Sequence, residues 1–157
     1  MEARVDRLEK KVDNLGQAFG RLTDVIGSSL EDEAAGVVVA VLERKGYRIL
    51  RDPVPLALDG EIDVIFLAED PQGRQVWIVI EAKARLGQRE VRAWAQRMRS
   101  EGWQRRLVER GYVGEYLVYA YGIRIDEGAR KSAEAEGIGL MKGSGEVVEP
   151  RARIEVR

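Results

Sequence analysis

Apolar residues recur at strict three-four spacing over residues 5–26: Val5, Leu8, Val12, Leu15, Phe19, Leu22 and Ile26. Mostly β-branched residues fill one core position and leucine fills the other, the choice that favours a parallel two-stranded coiled coil. Arg4 and Glu9 flank this seam, where they could pair between two copies. Gly16 and Gly20 each weaken the helix by about 1 kcal/mol, and the alternative is an amphipathic helix lying on its own domain. Gly27-Ser28-Ser29 then predicts an interruption, and Ser29 with Asp32 forms an N-cap arrangement for a new helix. That helix is expected over 30–45, with Glu31, Ala35, Val38 and Leu42 on one stripe and Gly46 at its end.

Beyond it the period changes. Residues 47–50 predict a first strand, after which Pro53 and Pro55 bar the chain from a central ladder. Two apolar runs, 62–68 and 75–80, flank Asp70-Pro71-Gln72-Gly73, which has the proline and glycine of a tight turn, so a β-hairpin is expected. Residues 86–110 read as mainly helical, with Val91, Trp94, Ala95 and Met98 on one face and a break at Gly102. A strand at 115–125, a helix at 126–136 capped by Asp126, and a strand at 138–141 follow. After Gly143-Ser144-Gly145 the chain reads as an extended or hairpin-like appendage. Apolar runs without strict alternation imply a sheet covered on both faces. The expected class is α/β, a mixed sheet in αβββαβαβ order, with a coiled-coil helix at 1–27, a core at 28–142 and an extended tail at 143–157.

The hairpin brings the candidate chemistry together. If Pro71 and Gln72 are its centre, Asp63 lies across from Ile80 or Glu81, and opposed residues have Cβ atoms roughly 4.5–5.5 Å apart. Two carboxylates so placed could share one divalent cation. Side chains alternate along a strand, so Glu81 and Lys83 project from one face. Composition removes the competing chemistries. The chain has neither cysteine nor histidine, which excludes disulfides, zinc fingers and Cys or His nucleophiles. No apolar stretch approaches the ~20 residues that cross a bilayer, and the N-terminus has no signal-peptide pattern. A soluble, cytoplasmic protein with no membrane partner is expected.

The net charge of −1 gives no overall vote for nucleic acid. Locally the picture differs: eight arginines lie between Arg85 and Arg110 against Glu90, Glu101 and Glu109, with Trp94 and Trp103 among them. Arg85, Arg89, Arg92 and Arg99 are the candidates for gripping phosphates, and an exposed tryptophan could stack on a base.

An aspartate on the second strand and Glu-x-Lys on the third, in Gly60-Glu61-Ile62-Asp63 and Ile80-Glu81-Ala82-Lys83, with Leu30-Glu31-Asp32 in the preceding helix, resembles the PD-(D/E)XK nuclease superfamily. That is the restriction-endonuclease-like fold, to which the archaeal Holliday-junction resolvases also belong. The resemblance covers roughly 28–142 and extends to uncharacterised prokaryotic members with an N-terminal heptad arm. The departure is Ile62, which precedes Asp63 where the pattern has proline. The resemblance implies a DNA endonuclease that uses Mg2+, with Mn2+ as a substitute. Asp63, Glu81 and the carbonyl of Ala82 would hold the metal, and Lys83 would orient or deprotonate the attacking water. It also implies a glutamate from the first helix, for which Glu31 is better phased than Glu33, and a glutamine on the helix after the site, which Gln96 could supply. The expected partners are DNA and a second copy of the chain through residues 5–26. The other readings are a catalytically inactive oligomeric DNA-binding or scaffold protein with the same fold, and an RNase or accessory subunit.

Overall fold

The structure is a computed structural model that describes residues 15–58 and 60–157, with side chains from residue 29 onward. Val5, Leu8 and Val12 of the heptad, with Arg4 and Glu9, lie outside the described residues. Helix α1 (Leu15–Arg44) is continuous through Gly27-Ser28-Ser29, so the expected interruption there does not occur. Glycine costs a helix only about 1 kcal/mol, whereas a fresh start would leave a new set of backbone N–H groups to be capped. The C-terminal half of α1 buries Ala34, Val38, Val41 and Leu42; of the stripe that the sequence marks, Val38 and Leu42 are buried, whereas Ala35 and Glu31 are partly buried.

Strand β1 (Arg48–Ile49) follows, then β2 (Val54–Ala57), β3 (Glu61–Glu69) and β4 (Gln75–Leu86). The chain continues through helices α2 (Gln88–Arg99) and α3 (Glu101–Glu109) to β5 (Gly114–Ile125), α4 (Glu127–Glu136), β6 (Gly139–Lys142), β7 (Gly145–Val148) and β8 (Ile154–Val156). The strands form one mixed sheet in the order β1-β3-β4-β5-β6-β7, with β2 also on β3 and β8 also on β5. β5 runs parallel to β4 and β6, and the other pairs are antiparallel. No helix among the described residues is long and apolar enough to cross a membrane.

Helices cover both faces, as expected. On one, α1 packs on Val64, Phe66, Ile78, Ile80, Tyr119 and Tyr121. On the other, Val91, Trp94 and Met98 of α2, Trp103 and Leu107 of α3, and Ala129 and Ala133 of α4 close over Ile65, Leu67, Val79, Val118 and Leu140. The buried residues of β4 from Val76 to Ala82 divide between these two cores, which is why the run lacks a polar face.

Four local expectations change. β2 is a strand that the prolines hide, although they do hold it to the sheet's edge. The helical stretch breaks at Ser100 rather than Gly102, because the Ser100 hydroxyl accepts from the Trp103 N–H (3.3 Å) and caps α3. Asp126 stands at the N-cap of α4, but its side chain makes no capping bond. The C-terminal residues are extended yet belong to the sheet: β7 pairs with β6, β8 pairs with β5, and Val156 is fully buried. Arg153, just before β8, donates to the Asp70 carboxylate at 2.8 Å.

That carboxylate also organises the hairpin turn. Its Oδ1 accepts from the N–H groups of Gln72 (2.9 Å) and Arg74 (2.8 Å), and Gly73 takes the positive φ of 84° that closes the turn. Burial alone would raise the Asp70 carboxyl, but the N–H of Arg74, the Arg153 guanidinium and the N–H of Gln72 together hold it below the usual carboxylate range. Val64 faces Ile80 and Glu69 faces Gln75, which centres the hairpin on Gln72.

Candidate functional site

One step beyond the Val64–Ile80 pair, the same register sets Asp63 level with Glu81, but the ladder has already ended. On its other side β3 carries an extra residue: Val54 pairs with Ile65 and Leu56 with Ile62. This bulge falls at Asp63-Val64, and bulges re-aim a side chain at the point where pairing stops. The Asp63 carboxylate takes over from the ladder. Its Oδ2 accepts the N–H of Ala82 at 2.9 Å, fixing it between Glu81 and Lys83.

Glu81 is buried on β4, 8% exposed. Lys83, two residues on, is exposed, and both line a cavity of about 730 Å3 with Asp63, Glu61, Arg97, Trp103 and Arg106. Gly60 forms part of this wall because a Cβ there would stand 3.1 Å from the Trp103 ring. Burial pushes the Glu81 carboxyl upward and the Asp63 charge adds to it, while Arg97 and Lys83 act in the opposite direction.

Glu31 approaches from α1. It shares a second cleft of about 260 Å3 with Asp32, Pro53, Pro55 and Asp63. Its carboxyl is raised by burial and then by the charges of Asp63, Glu61 and Asp32. Asp63 therefore borders both clefts, with Glu31 on one side and Glu81 and Lys83 on the other. Glu33 instead hydrogen-bonds Tyr121, whose hydroxyl is pushed up to about 12 by burial and then by Glu33. The helical phasing that separates Glu31 from Glu33 in the sequence separates them in space.

The residue that the sequence did not single out is Arg97. Its Nη2 donates to Glu81 Oε2 at 3.2 Å and its Nη1 to the Glu61 carbonyl at 2.8 Å. Its guanidinium carbon lies 5.2 Å from the centre of the Trp94 ring and 5.4 Å from that of Trp103, within cation–π range of both. Trp94 is itself anchored by its Nε1–H donating to the Tyr119 carbonyl at 2.9 Å. The Trp103 Nε1–H is buried without a hydrogen-bond partner among the described residues. Arg97 is one arginine among eight in its segment. Its only local signal is Trp94 one turn earlier, and Trp103 arrives from a different helix.

The other basic candidates scatter. Arg85 is exposed near the end of β4, level with exposed Arg124 on β5. Arg89 and Arg92 are exposed on α2. Arg99 is exposed on α2 and pairs with Glu136 of α4 at 2.5 Å and also with its backbone carbonyl. Gln96 is exposed and does not line the cavity, whereas the next residue, Arg97, does. Ala82 buries its methyl group and gives its N–H to Asp63. Among the described residues no three Asp or Glu side chains are assembled as a cation cage. Arg97, a monovalent cation, is the group that pairs with Glu81.

No family model matches the chain, and no curated protein sequence matches it. Among solved structures, the apo form of EndoMS superimposes with a TM-score of 0.36 at 20% identity, covering 75% of this chain and 47% of that one. A complex of EndoMS with double-stranded DNA gives 0.35 at 20% identity, over 77% and 46%. The chain spans about half the length of these neighbours, and likenesses this slight carry no inference about its function.

Proposed function

We propose that this chain is a divalent-metal-dependent DNA endonuclease of restriction-endonuclease-like fold, acting through Asp63, Glu81 and Lys83. One observation carries the reading. Where β3 and β4 part, Asp63 is tied to the N–H of Ala82, beside Glu81 and Lys83, on the wall of one cavity. Glu81 is a buried carboxylate whose charged form burial disfavours, and a carboxylate of that kind beside a second one on a cavity wall is a candidate for chemistry.

The donor set suits a hard cation. Burial and then the charge of Asp63 raise both Glu81 and Glu31, and a divalent ion held by Asp63 and Glu81, with the Ala82 carbonyl as a further ligand, would offset the Asp63 charge that both feel. Bound there, Mg2+, or Mn2+ in its place, would supply an acidified water and neutralise charge on the phosphoryl oxygens. The chain's own groups do the rest. Lys83 orients the attacking water and offsets phosphate charge, and Glu31 adds a carboxylate from the neighbouring cleft on the α1 side of Asp63. Arg97 and Arg106 line the same cavity, which gives it a positive wall where a phosphate would enter. Lys83, Arg85 and Arg124 extend the basic path along β4 and β5. A homodimer formed through residues 5–26, in the cytoplasm, would present two such sites related by a two-fold axis.

The test is nicking of supercoiled, linear and branched DNA with Mg2+ or Mn2+. Wild-type protein is expected to cut, whereas Asp63→Asn, Glu81→Gln and Lys83→Met are expected not to. The second reading, a non-catalytic oligomeric DNA-binding protein, draws on the Arg97–Glu81 pair, which satisfies the site without a metal. Binding of DNA without cleavage under any of these conditions would establish it.

A further inference from the structure

Arg97 is held from four directions, and only one of them is Glu81. The Glu61 carbonyl takes Nη1, and the indoles of Trp94 and Trp103 flank the guanidinium. Removing Glu81 from this set leaves Arg97 in the cavity with Nη2 free. Arg97 Nη2 sits 3.2 Å from Glu81 Oε2, and a guanidinium and a divalent cation gathered on one carboxylate repel each other. We propose that Arg97 is a positioning residue that holds Glu81 in the metal-free protein, yields it to the cation, and then turns Nη2 to a substrate phosphate.

This inference rests on the metal-dependent nuclease reading and adds to it a coupling between the two ligands. A phosphate that draws Arg97 away from Glu81 makes room for the cation, and a cation that displaces Arg97 frees a phosphate donor. Linkage requires each to tighten the other by the same factor. The residue type fits the task. A guanidinium has a planar fork that serves the Glu61 carbonyl and a second acceptor together and stacks on aromatic faces, whereas a lysine offers a compact point charge that does neither. A purely structural ion pair predicts the opposite behaviour, since its loss would disorder Glu81 and weaken every function of the site.

The experiment separates these cases with a readout besides cleavage. Mn2+ is titrated calorimetrically, at pH 8 and without DNA, into full-length wild-type, Arg97→Gln and Arg97→Met proteins. The methionine variant keeps an unbranched stem between the indoles. With the competing charge gone, both variants are expected to bind Mn2+ roughly tenfold more tightly than wild type. At saturating Mn2+ they are expected to cleave duplex DNA at least about tenfold more slowly, having lost a phosphate donor. Tighter metal binding with slower cleavage is the signature. Mn2+ affinity that is unchanged or weaker in variants that still unfold cooperatively overturns the inference while leaving the nuclease reading intact. A wild-type protein that neither binds Mn2+ nor cuts overturns both.

Discussion

Asp63 Oδ2 accepts the backbone N–H of Ala82 at 2.9 Å, one residue past the last ladder pair of β3 and β4. The carboxylate stands in for the strand that has just departed. The same bond sets its distance from Glu81 and gives Asp63 a structural task as well as a chemical one.

The two tasks separate by substitution. Asp63→Ala leaves the N–H of Ala82 without its partner and is expected to cost about 1–2 kcal/mol of stability. Asp63→Asn retains an amide oxygen for that bond and is expected to cost less, yet it lacks the anionic ligand and should lose metal-dependent cleavage equally. Urea denaturation beside a nicking assay checks this. Equal destabilisation by the two variants would show that the bond contributes nothing.

Metal and pH should act together on stability. Glu31 and Glu81 have raised carboxyls in the folded protein, so the folded state binds protons more readily than the unfolded one. Stability from these groups is therefore fullest below the ordinary value of 4.5 and is lost as pH rises through the raised folded values. A divalent cation would reverse that loss. At a concentration of 100 times its Kd at pH 8 it would add about 2.7 kcal/mol, and the same concentration should give a smaller thermal shift at pH 5, where protons compete for the carboxylates. Melting curves with Mg2+, Mn2+ or EDTA at the two pH values measure it, and a shift independent of pH would place the cation elsewhere.

Asp70 and Arg153 form an ion pair whose carboxylate side chain is wholly buried and whose arginine is 19% exposed. Arg153→Met should cost about 1–3 kcal/mol, the range for a lost hydrogen bond to a charged group, because the N–H groups of Gln72 and Arg74 still bind Asp70 and the Arg74 guanidinium remains 3.5 Å from it. The folded Asp70 carboxyl is depressed, so its contribution is present above its ordinary value of 3.8 and is lost as pH falls through the lower folded value. Chemical denaturation at pH 7 and pH 3 tests both statements. A variant as stable as wild type at pH 7 would contradict the assignment.

Arg85 and Arg124 lie side by side across the parallel β4–β5 ladder, where like charges repel unless an anion bridges them. Replacing both with glutamine should weaken binding to duplex DNA of any sequence and lower the log–log salt slope by about 0.9 for each phosphate no longer neutralised. Arg99→Gln should leave DNA binding nearly unchanged but lower stability, since Arg99 is bonded to Glu136. Fluorescence anisotropy at several salt concentrations decides between them. An Arg99→Gln effect as large as that of the double substitution would refute the placement.

Residues close together in sequence and governed by local periodicity were legible from the chain alone. The hairpin, its proline-glycine turn, the alternation that sets Glu81 and Lys83 on one face, the phase of Glu31 in its helix and the two-faced burial of the sheet all follow from side-chain spacing and turn chemistry, which act over a few residues. The bulge at Asp63 was not legible, because it is set by β2, a strand whose prolines disguise it. Nor was the pairing of β8 and the burial of Val156, since they depend on a free edge of β5 that no neighbouring residue reveals. The arginines show the division most clearly. Charge density in the sequence identified a basic segment, but one guanidinium serves Glu81, another serves Glu136, and two stand exposed on α2. That allocation depends on which carboxylates and indoles the packing of α2, α3 and α4 against the sheet brings within about 3–6 Å, the range over which hydrogen bonds and cation–π contacts act.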